Sequence, residues 1–280
     1  KENEYTSMFG TAAAKMALER AGLKPTDIDL IVCATTTPDQ IMPSTGALIQ
    51  AQLGATNAAG MDIFAACSGF IYGLTMVESM IRTGQIKYAL VIGAEVLTKY
   101  VDYTDRGTCV IFGDGAGAAV VGPVEPGKGI LATKIRSDGR YEEQLYAPGG
   151  GTKLGTTHET IDNRMHFFKM KGNELFKVAV RSMADISAEM LEKAGYTVDD
   201  VAIVIPHQAN QRITDAVASR LGVPEEKVYS NIAEHGNTSS ASIPIALDEC
   251  IQSGRVKEGD LVLLTAFGGG VTWGATVIRF

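Results

Sequence analysis

No apolar run in this 280-residue chain approaches the ~18 residues needed to cross a bilayer, and no signal peptide is visible. No membrane association is therefore expected. Cysteine is scarce: Cys33, Cys67, Cys109 and Cys250 stand far apart, with no C-x-x-C pair. That spacing excludes a disulfide framework and a zinc site, and it fits a reducing cytosol. Positive charge is also in deficit, 25 Lys and Arg against 32 Asp and Glu, a net charge of −7. General nucleic-acid binding is excluded on that ground, and an acidic partner would need a local basic patch. An initiating methionine is missing as well; the chain starts at Lys1, so the native N-terminus is expected to lie upstream.

What remains is the composition of an ordinary globular protein, 45% hydrophobic and 20% charged, with glycines gathered in short clusters that mark tight turns. The length suits one large domain or two intimately packed halves. The chain also repeats itself. ALERAGLKPTDIDLIV (17–32) matches MLEKAGYTVDDVAIVI (190–205) without a gap, pairing Leu18, Glu19, Ala21, Gly22 and Asp27 with Leu191, Glu192, Ala194, Gly195 and Asp200. In the same order, AQLG (51–54) resembles SRLG (219–222), IRTGQIK (81–87) resembles IQSGRVK (251–257), and GAGAAVV (115–121) resembles TWGATVI (272–278). The chain reads as a tandem duplication: one half over 1–122, a connector over 123–164, a second half over 165–280.

Within each half, continuous apolar runs (29–34, 88–93, 201–205, 260–266) read as strands buried on both faces. Amphipathic helices lie between them, as over 69–83 and 208–221, each stopped by glycine. Two such halves predict an α/β fold layered α/β/α/β/α, with shared helices between two mostly parallel sheets. MHFFKM (165–170) reads as a strand opening the second half; its counterpart would precede residue 1, so the first half is expected to lack its opening strand.

Reactive groups in such sheets gather beyond the carboxyl ends of the strands. Cys67 follows the run ending at Ala66 and precedes a helix, whose N-terminal dipole favours a thiolate. His207, in VIPHQAN, follows a buried strand of the second half and maps onto Ala34. Asn237, in EHGNTSSASIP, precedes a helix; an offset of about 170 residues sets it opposite Cys67. Each has a plainer reading: a buried cysteine as a small hydrophobe, a histidine at a helix start as a cap, an asparagine as turn chemistry. His235 reads as structural. FGDGAG (112–117) lacks the spacing of a phosphate loop and reads as a close-packed strand, whereas FGGG (267–270) frees backbone N–H groups to face an anion.

With Cys67, His207 and Asn237 set beside TDRGTCVIFGDGAGAAVV, IPHQAN, HGNTSSASIP and AFGGGVTWGATVIRF, the whole chain resembles the β-ketoacyl-acyl-carrier-protein synthase III family of condensing enzymes. That resemblance implies the thiolase fold, with duplicated βαβαβαββ halves. It implies an acyltransferase that joins an acyl-CoA starter to malonyl-acyl carrier protein by decarboxylative Claisen condensation, initiating fatty-acid synthesis. Cys67 would be the nucleophile, and His207 and Asn237 would hold the thioester oxygen of the malonyl group. The N–H groups of Cys67 and Gly269 match the family's second oxyanion hole, and Phe267 its active-site wall. Arg106 and Asn210 align with CoA-binding positions. Arg212 and Lys177 align with positions that meet the carrier protein, though either is equally a solvated surface charge. Met42 aligns with the residue that caps the partner's acyl pocket across a homodimer, or is a plain core contact. No metal or cofactor is implied, acyl-CoA being a substrate, and the setting is cytoplasmic. A degradative thiolase would need a second cysteine near the final glycines, and elongating condensing enzymes use two histidines. A Cys-His-Asn starter enzyme of polyketide or quinolone type stays open, as does a non-catalytic carrier-protein-binding homologue.

Overall fold

The computed structural model describes residues 3–280. Its strands are β1 (Leu30–Ala34), β2 (Ala59–Ile63), β3 (Ala89–Val96), β4 (Asp114–Val121), β5 (Gly129–Ser137), β6 (Leu145–Tyr146), β7 (Lys169–Met170), β8 (Ile203–Pro206), β9 (Leu261–Gly268) and β10 (Thr272–Arg279). The helices are α1 (Thr6–Ala21), α2 (Thr45–Leu53), α3 (Gly69–Arg82), α4 (His158–Asp162), α5 (Gly172–Ala194), α6 (Gln211–Leu221), α7 (Ile232–His235) and α8 (Ser242–Gln252). Their ends follow local chemistry. The Ser44 hydroxyl caps α2 by accepting from Ala47 N, and α1, α2, α5 and α6 stop at Gly22, Gly54, Gly195 and Gly222, all left-handed.

Two four-stranded sheets form, in the orders β2-β1-β3-β4 and β5-β10-β9-β8. In the first, β1 lies parallel to β2 and β3, and β4 turns back antiparallel. The second repeats this: β8 is parallel to β9, β10 antiparallel to it, and a single parallel bridge, Val204 to Val228, stands where β2 stands in the first. The registers superpose, Leu30 opposite Ala89 answering to Ile203 opposite Val262, an offset of 173 residues.

Between the sheets, α3 and α8 bury Phe70, Ile71, Leu74, Ile243 and Ala246 against Val32, Val91, Ile205 and Leu264. Each fully buried Leu, Ile or Phe there contributes about 1.5–3 kcal/mol. Helices α1 and α2 cover the outer face of the first sheet, and α5 and α6 that of the second. This is the α/β/α/β/α layering expected from the sequence. The run 112–117 is close-packed as expected: a Cβ on Gly117 would lie 2.8 Å from Ile245 N of α8.

Two expectations need correction. Residues 165–170 do not open the second half; only Lys169 and Met170 are extended, and they pair with β6. The opening strand is β5, inside the stretch 123–164 read as a connector, where it pairs antiparallel with β10 at the sheet edge. Being an edge, β5 is only partly buried and carries Lys134 and Arg136, so it shows no continuous apolar run. The second half thus reads βαβαβαββ from β5. The first repeats that order without a counterpart of β5 among the described residues, and a cavity of 1210 Å³ runs along β4 on that side, lined also by α1, α3 and α8.

Candidate active site

Cys67 lies in a single 3₁₀ turn between β2 and α3. Ala66 before it takes a left-handed φ of 46°, which turns the chain sharply enough to bring the thiol to the mouth of the helix. The turn is tied to the second half: the Thr272 hydroxyl donates to Ala65 O at 2.8 Å, and the Ser68 hydroxyl to Thr272 O at 3.0 Å. The end of β9 presses against it so closely that a Cβ on Gly268 would sit 2.6 Å from Cys67 N. Burial pushes the Cys67 thiol up to about 12, against the Ser239 hydroxyl and the N–H groups of Cys67 and Gly269, which favour the thiolate. The pull of the helix start towards a thiolate is thus opposed by the low-dielectric surroundings.

His207 follows β8 directly, its N–H donating to Thr265 O at 2.8 Å. The ring is buried, which draws its pKa down to about 3 and keeps it neutral at working pH. Its Nδ1 lies 2.7 Å from Ser242 Oγ, the first residue of α8. Ser242 Oγ also accepts from Gln208 N at 3.4 Å; we assign its own proton to Nδ1, the tautomer that leaves Nε2–H as a free donor.

Asn237 is anchored across the two halves. Its N–H donates to Ile111 O at 2.9 Å and its carbonyl accepts from Gly113 N at 3.0 Å, just before β4. The side-chain oxygen accepts from Ser239 N at 2.9 Å, which orients the amide and frees Nδ2 to donate. His207 and Asn237 thus offer two neutral donors, and the N–H groups of Cys67 and Gly269 offer a second pair at the sulfur. A carbonyl oxygen gaining negative charge is stabilised by either arrangement.

The register corrects one point of the duplication. At an offset of 173, Cys67 corresponds to Ser240, not Asn237, and Ala66 corresponds to Ser239, which shares its left-handed φ at 51°. His207 does correspond to Ala34, as expected.

The other expected residues lie as follows. Phe267 is buried with Ala179, Met183, Ile213 and Val217 beneath α5 and α6. Arg106 is exposed on the loop before β4. Asn210 is exposed and caps α6, accepting from Ile213 N at 3.0 Å. Lys177 on α5 and Arg212 on α6 are exposed on adjacent helices, with Arg212 over the Phe176 ring at 5.6 Å. Met42 is 80% exposed beside Ile41 at 92%, and so is not a core contact. His235 is tied to Glu249 at 2.7 Å in a network with Tyr229 and Asn231. Sequence reasoning missed Ser239, Ser242 and Glu95. Ser239 and Ser242 are visible in HGNTSSAS only as turn residues. An acid inside the apolar run ALVIGAEV was the one available signal for Glu95. Among the described residues, no cluster of three His, Cys, Asp or Glu could hold a metal ion.

This arrangement has close relatives. The family model of the 3-oxoacyl-[acyl-carrier-protein (ACP)] synthase III matches residues 61–139, and the model of its C-terminal part matches 191–280. A β-ketoacyl-[acyl-carrier-protein] synthase III of Aquifex aeolicus is 52% identical over 280 residues, covering 100% of this chain and 85% of that protein. One from Caldanaerobacter subterraneus is 49% identical over 278 residues, 99% of this chain and 84% of that protein. The crystal structure of the Aquifex enzyme superposes with a TM-score of 0.92 over 99% of this chain and 85% of its own. The priming β-ketosynthase of the R1128 polyketide pathway is 37% identical, with a TM-score of 0.90 over 99% of this chain and 82% of its own.

Proposed function

Since the chain belongs to the 3-oxoacyl-[acyl-carrier-protein] synthase III family, we propose that it condenses an acyl-CoA starter with malonyl-acyl carrier protein, the initiating step of fatty-acid synthesis. The observation that carries this reading is the pairing of one buried thiol with two separate sets of neutral donors.

The chemistry follows from the geometry. Cys67 Sγ attacks the acyl-CoA carbonyl, and the oxyanion is held by the N–H groups of Cys67 and Gly269. The carbon–sulfur bond to CoA breaks and the thiol proton leaves with CoA, giving CoA thiol and an acyl-Cys67 thioester. Malonyl-carrier protein then loses carbon dioxide. The electron pair moves to the thioester oxygen, where Nε2–H of His207 and Nδ2–H of Asn237 stabilise the enolate without giving up a proton. The enolate carbon attacks the acyl-Cys67 carbonyl, the carbon–sulfur bond to Cys67 breaks, and the departing thiolate takes a proton from solvent, the one proton the overall reaction consumes. A charged histidine would protonate the enolate prematurely; the burial that keeps His207 neutral prevents this. No cofactor enters the sequence.

Arg106 and the free face of Asn210 suit the phosphates and adenine of CoA. The cationic pair Lys177 and Arg212, in an otherwise acidic protein, suits the acidic carrier. Exposed Ile41, Met42 and Phe64 lie near the β2 edge, and they support a homodimer in which Met42 reaches the partner's acyl pocket. Four free cysteines suit a cytoplasmic enzyme. Likeness to the priming β-ketosynthase supports a polyketide starter role as the second reading; the two differ in starter and product. The test is the intact mass after brief incubation with acetyl- and longer acyl-CoA, then with malonyl-carrier protein, beside Cys67→Ser. One acyl increment lost in the variant, followed by a β-ketoacyl-carrier product, supports the proposal. Absence of any increment in the folded wild type refutes it.

A further inference from the structure

The 173-residue offset generates a second copy of the active site with different contents. Ser240 stands for Cys67, Ala34 for His207 and Glu95 for Gly268. The turn carrying Cys67 leans on the end of β9, and the turn carrying Ser240 leans on the end of β3, each crossing to the opposite half. At the live site Gly268 lets the end of β9 close on the Cys67 turn. At the silent one the same position carries a glutamate.

Glu95 is fully buried, and among the described residues its hydrogen-bond partners are hydroxyl and amide groups, none of them Lys, Arg or His. Its Oε2 takes the Thr37 hydroxyl at 2.8 Å, Thr36 N at 3.0 Å and the Thr35 hydroxyl at 3.1 Å, all from the segment after β1. Its Oε1 accepts from Ser240 Oγ at 3.1 Å and from the Thr36 hydroxyl at 3.2 Å. The Ser240 hydroxyl also donates to Ala34 O at 2.7 Å, so its single proton is shared between the two oxygens and ties the two halves together. Burial disfavours the carboxylate, the hydroxyl and amide donors of Thr36, Thr37, Ser239 and Ser240 opposing it. The titratable neighbours are Cys67, Cys33 and Tyr100, each of which feels Glu95.

We infer that Glu95 is a positioning residue: a buried carboxyl group that plugs the silent half-site and clamps the segment after β1 to the turn 239–241. Through that turn it sets the donors used on the malonyl group. Ser239 N holds the Asn237 amide, Ser240 ties the turn to Glu95, and Ser242 holds the His207 ring. The oxyanion donors for acyl transfer, at Cys67 and Gly269, hang instead from the β9 and β10 side. Loss of the plug therefore weakens condensation and spares acylation. The inference rests on the catalytic roles proposed above.

The test compares acyl-Cys67 formation from acetyl-CoA with condensation on malonyl-carrier protein. Glu95→Ala is expected to lower condensation about 10²-fold, the effect of an ångström-scale misplacement, and to change acylation by less than about threefold. Glu95→Gln keeps the volume of the plug and one acceptor for its donors, so both steps stay within about threefold of wild type. Should Glu95→Ala fail to fold, Ser240→Ala removes only the contact across the halves and is expected to lower condensation selectively, about tenfold. Equal loss of both steps in Glu95→Ala or Ser240→Ala, or a Glu95→Gln as weak as the alanine variant, overturns the inference. Hydrogen exchange over 237–242, faster in the alanine variants and unchanged in Glu95→Gln, reads the clamp without activity. A wild type that never acylates sinks the proposed function and leaves that exchange result to judge the clamp.

Discussion

Gly268→Ala tests whether close approach of β9 sets the nucleophile. The added Cβ would lie 2.6 Å from Cys67 N, 3.1 Å from Ala66 Cβ and 3.2 Å from Cys67 Cα. The nearest atom is backbone, so no side-chain rotation relieves the overlap. To regain an ordinary contact of 3.4 Å, the Cys67 turn and the strand must part by about 0.8 Å. That movement carries the Cys67 N–H, the sulfur and the Gly269 N–H out of register. Loss of one oxyanion donor costs about 2.7–4 kcal/mol, and an ångström of misplacement about 10²-fold in rate. The expected result is an acylation rate about 10²-fold lower, with a stability loss of about 1–3 kcal/mol from overpacking. Rapid-quench intact mass with acetyl-CoA measures the first, and urea unfolding the second. Gly10→Ala is the matched control: its Cβ also meets an atom at 2.6 Å, but that atom is the flexible Ile49 Cδ1 in the outer layer between α1 and α2. Acylation by Gly268→Ala within about threefold of Gly10→Ala would refute the argument, since the two share the overlap and differ only in what it displaces.

Three further outcomes follow from the same geometry. Ser242→Ala removes the donor that sets the His207 tautomer and is expected to slow condensation about tenfold while acyl-Cys67 still forms; equal loss in both steps counts against the tautomer argument. Burial lowers His207 from its ordinary 6.5 to about 3, so between these values the unfolded chain holds the extra proton and stability rises with pH. Unfolding free energies from urea titration should accordingly drop on acidification from pH 6.5 towards 3, by up to about 1.4 kcal/mol per pH unit. That slope should shrink in His207→Gln; an unchanged slope assigns the acid sensitivity elsewhere. Charge reversal at Lys177 and Arg212 is expected to raise KM for malonyl-carrier protein about tenfold at low salt, leaving acyl-Cys67 formation untouched, with the difference closing as salt is added. A salt-independent defect would argue against steering.

Much of this protein is legible one residue at a time. The strands β1, β3, β8 and β9 are buried on both faces and so appear as unbroken apolar runs. The duplication shows because matching elements carry matching packing demands. Cys67, His207 and Asn237 stand out because nucleophile and polar donors fall at strand ends. The edge strand β5 is hidden, since half-covered edges tolerate Lys134 and Arg136, and MHFFKM misleads because an apolar run need not be extended. The rest depends on what meets across the halves. The balance at Cys67 sets burial against donors from residues 239 and 269, far away in the chain. Glu95 is held by donors of Thr35, Thr36, Thr37 and Ser240, gathered from both halves. Sequence determined which groups were available and roughly where each half would present them. Only tertiary packing decided their protonation and aim, because desolvation and hydrogen-bond direction belong to the assembled neighbourhood and to no single segment.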